Sequence, residues 1–150
     1  MDINGIPAHA LITHAAVVFG PLSALFAIAY AVVPRWRDWL RWPLVVTAAL
    51  ALVTIWVSYL SGESWREDDF TGATGELAER LDRHEDLAGT LRISVTVFAA
   101  VTFAAAWFHT RTGAVRYALS ALLVVSAVAT LVYVVLTGDA GAKTVHGSYA

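Results

Sequence analysis

Cysteine is absent from this chain, and that absence closes off a broad range of chemistry. Disulfides, thiolate metal sites, iron–sulfur clusters, covalent c-type haem attachment and cysteine nucleophiles are all excluded. With Met1 the lone methionine, any metal or cofactor has to be held through nitrogen or oxygen. Charge is scarce too. Only 15% of residues are charged, against ~25% in an ordinary soluble domain. The formal net charge of −2 offers no basic surface for nucleic acid. No lysine, arginine or acid interrupts the run from Ile3 to Pro34. That run does not read as a cleaved leader, because Asp2 stands where a cationic segment would be and the apolar stretch is too long.

What is present in excess is hydrophobic sequence, 58% of residues, with a mean hydropathy of +0.63. The excess falls in four blocks, each near the ~20 residues that cross a bilayer. The spans read as about 8–33, 43–61, 87–108 and 117–137, giving an all-α, up-down-up-down four-helix transmembrane bundle in one domain over residues 1–150. Pro7 suits the first turn of the first span, Gly20-Pro21 should bend it and free a carbonyl, and Pro34 ends it. Arginine and tryptophan alternate from Arg35 to Trp42, as at a membrane interface.

Between Thr71 and Leu91 the chain is polar yet periodic. Leu77, Leu81, His84, Leu87 and Leu91 share one helical face. Glu76–Arg80 and Glu79–Arg83 are favourable i,i+4 pairs, and Thr74 is a plausible N-cap. The third helix therefore extends from Gly75 to about His109, its first turns outside the membrane. The fourth span should stop at Gly138, with the glycine-containing tail turning back over the bundle mouth. That tail does not form a phosphate loop, because Ala142 replaces the glycine before Lys143. No internal repeat stands out.

The two short loops concentrate Arg35, Arg37, Arg41, Arg111 and Arg116 against one acid, Asp38. This favours a bacterial inner-membrane protein with those loops in the cytoplasm and both termini outside. Whichever way it sits, the topology gathers His9, His14, Ser61, Glu63, His84, Arg92, Asp139, Lys143 and His146 on one face, and leaves His109 at the other. An imidazole at the edge of a bilayer is costly without a partner and marks a candidate site.

His9 and His14 lie about 140° apart around an ideal helix, so both cannot face one ligand unless the helix starts after His9. Two chemistries suit converging imidazoles. One is bis-histidine ligation of haem b between facing helices. In that reading His14 and His84 are the first choice, His9 or His146 the substitutes, and Arg92 or Lys143 neutralises propionates. The other is a copper or zinc site of two or three imidazoles with Glu63 or Asp139. The bland alternative is a structural membrane subunit whose histidines bond to backbone and headgroups, with Arg92 snorkelling. His109 fits that description best. The absence of a wide polar stripe within the spans argues against an aqueous transport path.

The ordered motifs Gly5-x-Pro7-x-His9…His14, His84 ahead of the third span, and Gly138-x-x-Gly141-Ala142-Lys143-x-Val145 resemble a bacterial membrane family, domain of unknown function 2231. The resemblance covers nearly the whole chain. Ala10 stands where relatives have proline after the first histidine, and Ala15-Ala16 where they have Phe-Pro. Some relatives are joined to Rieske or cytochrome c domains, so the resemblance implies membrane electron transfer. The partners this reading admits are the lipid bilayer, a quinone or outside redox protein, and a second copy of the chain.

Overall fold

A computed structural model describes the backbone of residues 2–3, 6–69 and 72–146 and, within these, the side chains of residues 9, 12–64, 66–67 and 72–144. Four long helices make up nearly all of it: α1 (Ala8–Val32), α2 (Arg37–Asp69), α3 (Glu76–Trp107) and α4 (Gly113–His146). A two-residue antiparallel pairing of Asp2–Ile3 with Ile6–Pro7 precedes α1, and a 3-10 turn at Pro34–Trp36 separates α1 from α2. Each helix packs on its neighbours in chain order and α1 closes against α4. The bundle is therefore a square in which α1 faces α3 diagonally.

All four helices are long and apolar enough to cross a membrane, and the packing agrees with lipid as the solvent. Large apolar side chains such as Val17, Leu25, Ile93, Phe103, Leu122 and Val125 point outward, while the interior is rich in Ala24, Ala27, Ala48, Ala51, Ala127, Ser23, Thr102 and Thr130. Small residues let helix backbones approach closely, which is how helices associate where lipid removes the hydrophobic drive. The chain is a multi-pass membrane protein.

α2 has 33 residues, about 50 Å at ~1.5 Å per residue, well beyond the ~30 Å hydrocarbon core. The excess of α2 and α3 projects together at the histidine end. There Arg66 of α2 pairs with both Asp82 and Glu85 of α3, which lie one turn apart. Arg80 bonds Glu76 at 2.5 Å and donates to the Lys143 carbonyl of α4 at 3.1 Å. Because the Arg66 cluster is partly open to water, Arg66→Ala should lower stability by less than ~1 kcal/mol, read as a small shift in thermal unfolding.

Two expectations change. Gly75, at φ +65°, caps α3 in place of Thr74. That conformation is cheap for glycine alone. α4 runs on through Gly138 and Gly141 to His146, so the described part of the tail is helix and does not turn back over the mouth.

The bundle also contains a repeat. Leu44-Val45-Val46-Thr47-Ala48 of α2 returns in α4 as Leu123-Val124-Val125-Ser126-Ala127, and Leu52-Val53 as Leu131-Val132. Leu44/Leu123, Thr47/Ser126, Ala48/Ala127, Ala51/Thr130 and Ile55/Val134 are buried in both copies. The buried stripe of α1 recurs in α3 in the same register: Ala16/Leu91, Ser23/Phe98, Ala24/Ala99, Ala27/Thr102 and Tyr30/Ala105. The α1–α2 and α3–α4 hairpins are thus two copies of one unit, related by a pseudo-twofold axis along the bundle.

Candidate functional site

In that repeat His9 of α1 corresponds to His84 of α3, Ser58 to Thr137, and Gly62 to Gly141. The histidine of each hairpin hydrogen-bonds its own partner helix in the same way. His9 Nδ1 lies 3.0 Å from the Ser58 carbonyl oxygen and 3.1 Å from Ser61 Oγ. His84 Nδ1 lies 3.1 Å from the Thr137 carbonyl oxygen. A carbonyl oxygen can only accept, so Nδ1 carries the hydrogen on both rings. The neutral imidazole then has its basic lone pair on Nε2. This is the tautomer a ligating histidine needs, with the second nitrogen held by a carbonyl that fixes the ring plane.

One turn beyond each carbonyl a glycine faces the ring. A Cβ at Gly62 would come 3.1 Å from His9 Cε1, and one at Gly141 3.0 Å from His84 Cε1. Thr13 braces the α1 side, its hydroxyl donating to the His9 carbonyl at 2.7 Å and meeting Ser58 Oγ at 2.9 Å. On the α4 side Thr137 Oγ1 is buried with no hydrogen-bond partner among the described residues. His9 and His84 lie within electrostatic reach of each other, on helices that face across the bundle.

Comparison of the chain with family models, curated proteins and solved structures finds no match. The site therefore has to be read from its own chemistry.

His14 stands apart from His9 and His84. α1 already includes His9, and a ring five residues on, about 140° around the helix, points outward. His14 is exposed, so the pair the fold brings together is His9 and His84. The side chain of His146 lies outside the described residues. Lys143 is exposed and bonds Asp139 at 2.7 Å, one turn back on α4, so its charge is directed along its own helix. Arg92 sits over the rings of Tyr59 at 4.2 Å and Trp56 at 4.9 Å on the α2–α3 face, spending its charge on two π-systems. Glu63 is exposed. Among the described residues no group of three His, Asp or Glu side chains is arranged to hold a metal ion.

His109 is more engaged than an ordinary interfacial histidine. Its Nε2 meets Asp38 Oδ1 at 2.6 Å and its Nδ1 meets the Tyr30 hydroxyl at 2.8 Å. Sequence reading missed this because Tyr30 lies near the end of α1 and His109 in the turn after α3, far apart in the chain. The repeat was within reach, since Leu-Val-Val-Thr-Ala and Leu-Val-Val-Ser-Ala can be aligned by eye and lead directly to Gly62 and Gly141.

Proposed function

We propose that this chain is a membrane-embedded electron-transfer protein that binds haem b between His9 and His84 at the end of the bundle where α2 and α3 project. The observation that carries the reading is the repeated anchor. Two imidazoles on diagonal helices each donate Nδ1–H to a carbonyl of the partner helix, and each has a glycine against its ring edge. That donor set would suit haem b, which His9 and His84 would hold through two neutral imidazole nitrogens supplied by equivalent positions of the two hairpins. The orphaned Thr137 hydroxyl supplies a further polar atom on the same wall.

Haem would supply one-electron exchange at iron, and the protein's own residues do the rest. The Ser58 and Thr137 carbonyls set the tautomer and plane of each imidazole and raise the basicity of Nε2. Gly62 and Gly141 admit the rings close to the opposing helices. The small-residue interior holds the hairpins together, and the apolar perimeter seats the bundle in the bilayer with the two histidines at its edge. The resemblance to the domain of unknown function 2231 family points the same way, and an outside redox protein or a membrane quinone are the exchange partners this reading implies. With the arginine-rich loops in the cytoplasm, the site faces outward.

The rival that the two nitrogens also suit is copper or zinc, and the absolute visible spectrum with metal analysis separates them. The expected result is a Soret band, sharp α and β bands on reduction, and iron near one per chain. A colourless protein carrying stoichiometric copper or zinc would replace haem with that metal, and a colourless, metal-free protein would leave the histidines structural.

A further inference from the structure

At the end of the bundle away from the two anchored histidines, arginines gather without acids to match. Arg37, the first residue of α2, is only 8% exposed. It donates to the Tyr30 hydroxyl at 3.2 Å and toward Ser120 Oγ at 3.4 Å, and lies 4.4 Å over the Tyr30 ring. All of these contacts are neutral. Arg41, one turn on, has a buried Nε with no hydrogen-bond partner among the described residues, and its guanidinium lies 5.1 Å over Trp42. Arg116, in the first turns of α4, joins Arg37 and Arg41 within electrostatic reach of Tyr30. Asp38 is the acid of these loops, and it is 96% exposed and turned to His109. Among the described residues none of the three guanidiniums is in an ion pair.

A buried cation costs several kcal/mol unless an opposite charge or strong acceptors compensate it. A cation–π contact returns about 0.5–2 kcal/mol, and neutral hydroxyl bonds add little. Arg37 is such a cation, and the half-buried Arg41 and Arg116 add to an excess of positive charge there that calls for an anion. Guanidinium forks match tetrahedral, multi-oxygen anions best. Trp36, Trp39, Trp42 and Trp107 are exposed around the same end, and such tryptophans mark headgroup depth.

We propose that Arg37, Arg41 and Arg116 form a phosphate-binding site at the junction of α1, α2 and α4, independent of the haem reading. The phosphate comes either from a phospholipid headgroup or from a soluble phosphate. Either way it balances the positive charge of Arg37 and ties the α1–α2 hairpin to the start of α4.

The full chain would be placed in nanodiscs and native mass spectrometry used to count retained lipid. Phosphatidylglycerol should bind at least tenfold tighter than phosphatidylcholine if a headgroup is the source. If a soluble anion is the source, inorganic phosphate should raise the unfolding temperature in phosphatidylcholine discs. Paired Arg41→Gln and Arg116→Gln should reduce whichever binding is seen at least tenfold, whereas paired Arg35→Gln and Arg111→Gln, at exposed positions of the same end, should change it less than twofold. The proposal is overturned if neither phosphatidylglycerol nor phosphate is preferred. Equal losses in the two variant pairs would also overturn it, since they would mean general surface attraction. The wild-type lipid comparison stands even where a variant fails to fold.

Discussion

Replacing either His9 or His84 by alanine is expected to abolish the Soret band and remove at least nine-tenths of the bound haem, while His14→Ala leaves both intact. The asymmetry follows from helix phase. His9 meets the Ser58 carbonyl on α2 and His84 meets the Thr137 carbonyl on α4, whereas His14 has rotated to the exposed face. Loss of one imidazole would leave the other as sole protein ligand, and a tenfold loss of occupancy near saturation corresponds to well over 1.4 kcal/mol. Equal losses in all three variants would mean that His14 shares the ligation, and no loss in any would dismiss the site. Haem content per chain by absorbance, measured on purified protein, is the readout.

The second large effect concerns the glycines. Gly141→Ala and Gly62→Ala should each weaken haem retention by about tenfold, and valine at either position by more. The added Cβ would stand 3.0 Å from His84 Cε1 or 3.1 Å from His9 Cε1. Each ring is pinned at Nδ1 by a carbonyl, so it cannot retreat without losing that bond. Perturbing the groups that orient a ligating histidine typically costs ~10–100-fold in affinity. Gly138→Ala is the internal control. It lies on the same helix with open space around it, and alanine there should leave haem binding unchanged and stabilise α4 by about 0.5–1 kcal/mol. Comparable haem loss in Gly138→Ala would point to helix geometry rather than ring contact.

The four spans were legible because length and hydropathy are sufficient signals for membrane helices. Their ends were not. α4 continues through Gly138 and Gly141 because a helical glycine costs only ~1 kcal/mol, and the close approach of Gly141 to His84 gives that residue a packing role that composition does not reveal. Likewise Gly75 takes the cap of α3 by adopting a left-handed conformation, a choice settled in three dimensions.

His9 and His84 both stood out in the sequence, but which of the two opening histidines would face α2 did not. Depth in the membrane favoured His14, yet depth says nothing about rotation about the helix axis. That rotation is set by which face of α1 packs on α2, and here it is the face of His9, Thr13 and Ala16. Arg92 and Lys143 read equally well as propionate partners until Trp56, Tyr59 and Asp139 were placed beside them. The Tyr30–His109–Asp38 contacts and the buried Arg37 joined residues from distant segments, and no local pattern announces such a meeting.

The claim that His9 and His84 ligate one haem is tested most directly by low-temperature electron paramagnetic resonance of the oxidised, purified protein. Two imidazoles on ferric haem predict a low-spin signal in the wild type that becomes high-spin or vanishes in His9→Ala and in His84→Ala. A high-spin signal in the wild type, a low-spin signal that survives both substitutions, or no ferric haem signal at all would contradict it.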